Sequence, residues 1–125
     1  LGLAAPPFYV YFMNNIELGR MGEEAALQLL LDKGYKLVAK NFRNKIGEID
    51  LVMRDGGTVV GIEVKAKREG GIEPSEMLTS KKIAKVTSVL NSMAWDCQSK
   101  RVECVTVLFD NNNQLLKIEH FDDIS

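Results

Sequence analysis

Three carboxylates and one lysine in this chain lie where ordinary packing would not put them. Asp50, Glu63 and Lys65 sit inside GEIDLVMRDGGTVVGIEVKAK, residues 47–67, two apolar runs around a turn. Ionised groups are costly to bury, so such runs seldom carry them without a reason. Side chains alternate across a strand. Glu48, Asp50 and Val52 therefore share one face of the first run, and Gly61, Glu63 and Lys65 share a face of the second. Asp55-Gly56 predicts a two-residue type I′ loop. That loop sets Asp50 against Gly61 and Glu48 against Glu63, with the acids on one face and the large aliphatics on the other. An odd loop would mix the faces and bury charge, so the pattern predicts an even one. Asp50 and Glu63 then become diagonal neighbours beside a hollow at Gly61. Close carboxylates repel, and one pKa rises unless something compensates. A divalent cation is the simplest compensation, because Mg²⁺ takes one or two carboxylates and keeps several waters. Lys65 points to the same hollow, where a lysine can orient or deprotonate a water or offset charge on a phosphate.

A third acid comes from the preceding helix, predicted over about Ile16–Lys33 with Gly34 as its stop. At helical spacing, Glu24, Gln28 and Asp32 form a polar wedge. Glu23 instead falls among Ala26, Leu27 and Leu30 and looks inward. An acid near a helix start also gains from the helix dipole. Acids and lysines on one sheet face are more often a solvated, ion-paired surface than a site. Glu23 shifts that balance, since it adds a third carboxylate aimed at the same place.

The elements that must position these groups follow in order. After the helix, Tyr35–Arg43 reads as a strand, and Ile46–Met53 with Thr58–Ala66 as a hairpin. The polar loop KREGGIEPSEM contains Gly70-Gly71 and Pro74, and Thr79 or Ser80 can cap a second helix reaching about Trp95. Ile83, Val86, Leu90 and Met93 give that helix an inner face. Val102–Phe109 is apolar at both parities and predicts a strand buried on both sides, and Leu115–Phe121 is a last strand. The strand–helix–strand unit from Thr58 to Phe109 predicts two parallel strands. The fold class is α/β, a mixed central sheet flanked by helices in α-β-β-β-α-β-β order.

At 125 residues and 46% hydrophobic content, the chain suits one domain with one core. The first twelve residues, LGLAAPPFYVYF, differ in composition from the rest and lack a basic leading region. They read as a tag, a mis-assigned start or a disordered arm, with 13–125 as the single domain. The net charge of −1 excludes a globally basic field, leaving nucleic-acid affinity to local patches. Cys97 and Cys104 form no CxxC pattern and suggest a reducing, cytoplasmic setting with two half-buried thiols. No apolar stretch is long enough to span a membrane. His120, the single histidine, is expected at the surface or a strand end.

A helix acid followed by Asp and by Glu-x-Lys on adjacent strands resembles the PD-(D/E)XK nuclease superfamily. GRMGE at 19–23, NFR at 41–43, GEIDL at 47–51 and EVK at 63–65 are similar to the YraN family of uncharacterised bacterial proteins. Lys81 and Arg101 also fit that pattern. The spacing from Glu23 to Gly34 resembles archaeal Holliday-junction resolvases of the same superfamily. The resemblance implies a restriction endonuclease-like core and metal-dependent hydrolysis of DNA phosphodiesters, on branched or single-stranded DNA. It implies that Asp50 and Glu63 hold Mg²⁺ or Mn²⁺, that Glu23 completes the site directly or through water, and that Lys65 positions the nucleophilic water. Arg20, Arg43, Arg68 and Lys81 are the expected nucleic-acid contacts, with Lys45, Lys67, Lys82 and Lys85 as further candidates. The family commonly places an arginine soon after the EVK lysine, whereas Ala66 and Lys67 intervene here before Arg68. Glu103 stands where an aspartate is common and reads as peripheral. Resolvase-like chemistry would want a homodimer. The alternatives are a nucleic-acid-binding module without turnover, within a DNA-processing complex, and a scaffold with ion-paired strands.

Overall fold

The computed structural model describes residues 7–71, 80–122 and 124, with side chains from residue 15 onward. Helix α1 spans Pro7–Asp32. It begins well before the predicted Ile16, inside the segment set apart by composition. Proline is accepted in the first helical turn, where its missing N–H would have no intrahelical partner. Ala26 and Leu30 are fully buried, while Glu24, Gln28 and Asp32 are exposed, as the polar wedge predicts. Gly34 ends the helix at φ 94°. Its N–H donates to the Leu31 carbonyl at 3.0 Å, and the Tyr35 N–H donates to Leu30 at 3.0 Å. These bonds satisfy the last carbonyls.

Strands β1 (Lys36–Arg43), β2 (Glu48–Asp55) and β3 (Thr58–Arg68), helix α2 (Ser80–Asn91), and strands β4 (Ser99–Phe109) and β5 (Leu115–Phe121) follow in the predicted order. They form one sheet in the order β1-β2-β3-β4-β5. β3 and β4 run parallel from Thr58↔Ser99 to Arg68↔Phe109, and the other pairs are antiparallel. β4 is buried at both parities from Val102 to Val107, as predicted for a strand covered on both faces. Pro74 and Thr79 lie outside the described residues. α2 ends short of Trp95. The Trp95 indole N–H instead donates to the Leu90 carbonyl at 2.7 Å, satisfying a group at the helix end. Met93 lies beyond the helix and is exposed, and Val89 joins Val86 and Leu90 on the inner face.

α1 covers one sheet face, packing Ala26 and Leu30 with Leu51, Met53, Val60, Ile62, Val105 and Val107. α2 covers the other, over Ile49, Val52, Val59 and Val102. The hairpin differs from its predicted register. Its loop has the expected even length but is Gly56-Gly57, closed by Asp55↔Thr58. Only Gly56 has positive φ, 58°, as in a type II′ turn. Val52, rather than Asp50, therefore faces Gly61, and the paired register ends at Leu51↔Ile62, just before Asp50 and Glu63. The acids do not have their face to themselves. Ile49, Val52 and Val59 share it beneath α2. With both faces covered by helices, apolar side chains fill the covered end and the acids take the open end.

Candidate functional site

The β2–β3 ladder stops where the charged residues begin. Past Leu51↔Ile62, the Asp50 carboxylate accepts the Val64 N–H at 2.7 Å, so a side chain closes the ladder. Lys65 Nζ lies 2.8 Å from Glu63 Oε1, with both side chains about 15% exposed (15% and 14%). Glu48, Asp50, Glu63, Lys65, Lys82 and Lys85 line a cleft of about 360 Å³ between the strand ends and α2. Gly61 leaves no hollow, in contrast to the sequence expectation. A Cβ there would stand 3.0 Å from Val86 Cγ1, so α2 packs into the space. The cleft opens beyond Val86.

Burial pushes the Asp50 carboxyl up to about 7, reinforced by the charges of Glu63 and Glu23 and opposed by the Val64 N–H and Lys65. Burial would lower the Lys65 ammonium, yet its hydrogen bonds to Glu63 and Lys82 and the charge of Asp50 hold it above the ordinary lysine value. Lys82 is the counterpart, held below that value first by its hydrogen bond with Lys65 and then by burial. Cys104 pairs with Glu63 across β3–β4 and is fully buried rather than half-buried. Burial, with the Glu63 charge, pushes its thiol up to about 12, so it stays protonated and inert at neutral pH.

Glu23 projects from α1 on the opposite side of Lys65. It lines a second hollow of about 370 Å³ rather than the carboxylate cleft, and Lys65 lines both. Its carboxyl is raised by burial, while a hydrogen bond from the Asn41 side chain opposes the rise. Asn41 is a residue that sequence reasoning passed over, although NFR was among the motifs. It lies between the pairs Lys40↔Leu51 and Phe42↔Ile49, opposite Asp50, with φ 51°. Asparagine tolerates this region better than most residues, and strained backbone of this kind clusters at functional sites.

Among the described residues, no three His, Cys, Asp or Glu stand close enough to surround one ion. Asp50 and Glu63 remain as a pair, and two carboxylates suffice for a cation that keeps its waters. Burial first, and then the Glu63 charge, raise Asp50, and a divalent cation would offset that charge.

The expected nucleic-acid contacts do not gather at the cleft. Arg20 pairs with Glu17 and Glu24, each at 2.7 Å, on the exposed face of α1. Arg43 pairs with Glu48 at 2.7 Å. Arg68 donates to Asn113 Oδ1 at 2.8 and 3.1 Å. Lys45 and Lys81 are exposed, and Lys67 is buried, donating to the Gly71 carbonyl. Lys82 and Lys85, one helical turn apart in reach, are the cations of α2 that line the cleft.

Glu103 is not peripheral. It is fully buried and accepts from Tyr35 Oη at 2.9 Å and Arg101 Nε at 2.6 Å. His120 Nε2 stands 2.8 Å from Glu103, and its side chain is 4% exposed, so the histidine is near a strand end but not at the surface.

The sequence profile described as uncharacterised protein family UPF0102 matches residues 22–107, which include every group of the cleft. The chain belongs to the UPF0102 family. A UPF0102 protein of Pelotomaculum thermopropionicum is 35% identical over 115 residues, covering 84% of this chain and 92% of that protein. One from Caldicellulosiruptor saccharolyticus is 35% identical over 111 residues, covering 85% and 94%. One from Clavibacter michiganensis is 41% identical over 106 residues, covering 78% and 87%. Among the described residues, no helix of this UPF0102 chain is long and apolar enough to cross a membrane.

Proposed function

We propose that this UPF0102 protein is a metal-dependent nuclease that hydrolyses DNA phosphodiester bonds on a PD-(D/E)XK-type core. The observation that carries this reading is the meeting of Asp50, Glu63 and Lys65 in one cleft rimmed by Lys82 and Lys85. A Mg²⁺ or Mn²⁺ ion held by Asp50 and Glu63, with Glu23 acting through water, would neutralise phosphate charge and make water more acidic. Lys65, anchored by Glu63, sets a positive charge against the phosphate oxygens where negative charge builds in the transition state. Lys82 and Lys85 draw the phosphodiester to the α2 side of the cleft. Asp50, fixed by the Val64 N–H, keeps its carboxylate turned to the cleft rather than to solvent.

Labelled duplex, single-stranded, flap and four-way DNA incubated with Mg²⁺ or Mn²⁺ tests the reading. Cleavage by the wild type that disappears in Asp50→Ala is the expected result. Cleavage that persists in Asp50→Ala points to a contaminating nuclease. DNA binding without cleavage of any substrate replaces the enzyme with a nucleic-acid-binding module.

A further inference from the structure

Gly19 and Gly22 sit one turn apart on α1, yet among the described residues only Gly22 has a packing reason to be glycine. A Cβ on Gly22 would stand 2.6 Å from the Ala66 Cβ, so that glycine lets the helix approach β3. Among the described residues, a Cβ on Gly19 would meet nothing within 4 Å, and its φ is not positive. Glycine inside a helix is less favourable than alanine. At Gly19 no packing or backbone requirement among the described residues offsets that cost. What the missing side chain does leave is room in the second hollow, lined by Asn15, Leu18, Gly19, Glu23, Val64 and Ala66. Lys65 lines this hollow as well as the carboxylate cleft.

The geometry points to a subsite for one unpaired nucleoside next to the scissile phosphate, so that the enzyme cuts a strand only where it has left the duplex. This inference rests on the nuclease reading above. The hollow, at about 370 Å³, is of the size that takes small ligands. Leu18, Val64 and Ala66 offer an apolar surface to the face of a base, while Asn15 and Glu23 offer polar groups to its edge. A base can enter such a hollow only after unstacking, which costs least in single strands and at junctions. Lys65 lines both spaces, so the hollow adjoins the residue that would face a phosphate in the cleft.

The size of residue 19 tests this. Gly19→Ala, Gly19→Leu and Gly19→Trp are compared with wild type in melting temperature and in kcat and KM on a labelled single strand. Wild type is also compared on a continuous duplex of the same sequence. Expected are melting temperatures at or above wild type, little change for alanine, and a KM rising at least tenfold for leucine and further for tryptophan. The wild type should cut the single strand at least tenfold faster than the duplex. Unchanged KM in a folded Gly19→Trp, melting of Gly19→Leu below wild type, or equal cutting of duplex would each overturn the subsite while leaving the nuclease intact. A wild type that cuts no substrate overturns the nuclease reading itself, and the subsite with it.

Discussion

Lys65 and Asp50 differ in what they lend the cleft, and substitutions separate the roles. On the proposed mechanism, in which the lysine serves phosphate and water rather than the cation, Lys65→Ala should abolish cleavage while sparing metal affinity. Lys65→Arg should recover little, since a planar fork does not reproduce a compact ammonium beside Glu63. Single-turnover cleavage together with Mn²⁺ titration checks both, and full activity in Lys65→Ala removes the lysine from the mechanism. Asp50 gives a pH signature. Its folded pKa, about 7, lies above its ordinary 3.8, so the protonated form favours folding. That contribution is complete below about pH 4 and is lost as pH rises towards 7. Without metal, Asp50→Asn should therefore gain on wild type between those limits, by up to about 4 kcal/mol, and hold the gain above them. Denaturant titrations across pH in EDTA check it, and a flat difference contradicts it. The residue types of the cleft were legible because charge inside apolar runs is conspicuous. Asn41 was not, because what marks it is a backbone angle and a bond from β1 to α1.

α1 and the hairpin show which features of an element the chain states locally. The inward set of α1 and its Gly34 stop follow from spacing and capping alone, and the parallel β3–β4 pair follows from an intervening helix. The hairpin register was not legible, since DGG offers two adjacent even loops and only tertiary packing chooses between them. Val86 over Gly61 is part of that choice. The open hollow expected at Gly61 failed for the same reason, since a helix distant in sequence fills it. Close helix–strand approach at Gly22 makes a firm prediction. Gly22→Ala should lower stability by about 1–3 kcal/mol, as overpacking does, even though alanine is the better helix former. Thermal melting beside Gly19→Ala checks it, with the two variants moving in opposite directions.

Across the whole molecule, a polar network centred on the buried Glu103 joins elements far apart in the chain. Arg101 donates to Asp55 at 2.6 Å and to Glu103 at 2.6 Å, and Tyr35 Oη lies within reach of both Arg101 and Glu103. Lys33 Nζ, which can only donate, meets His120 Nδ1 at 2.8 Å, so Nε2 carries the proton given to Glu103. The loop after α1 and strands β2, β4 and β5 are thereby tied together. Glu103→Ala should cost about 3–5 kcal/mol by leaving Arg101 and His120 short of a partner, as read by urea unfolding. The sequence hid this because Tyr35 and Glu103 are 68 positions apart. The central claim is that Asp50 and Glu63 form one cation site in the folded protein. Melting wild type and Asp50→Asn in EDTA and through a Mg²⁺ titration at constant ionic strength tests it most directly. At ten times Kd, Mg²⁺ should stabilise wild type by about 1.4 kcal/mol, or about 5 °C. Asp50→Asn should melt higher than wild type without metal and lose most of the Mg²⁺ shift. A lower metal-free melting temperature with an unchanged Mg²⁺ shift would contradict the shared site.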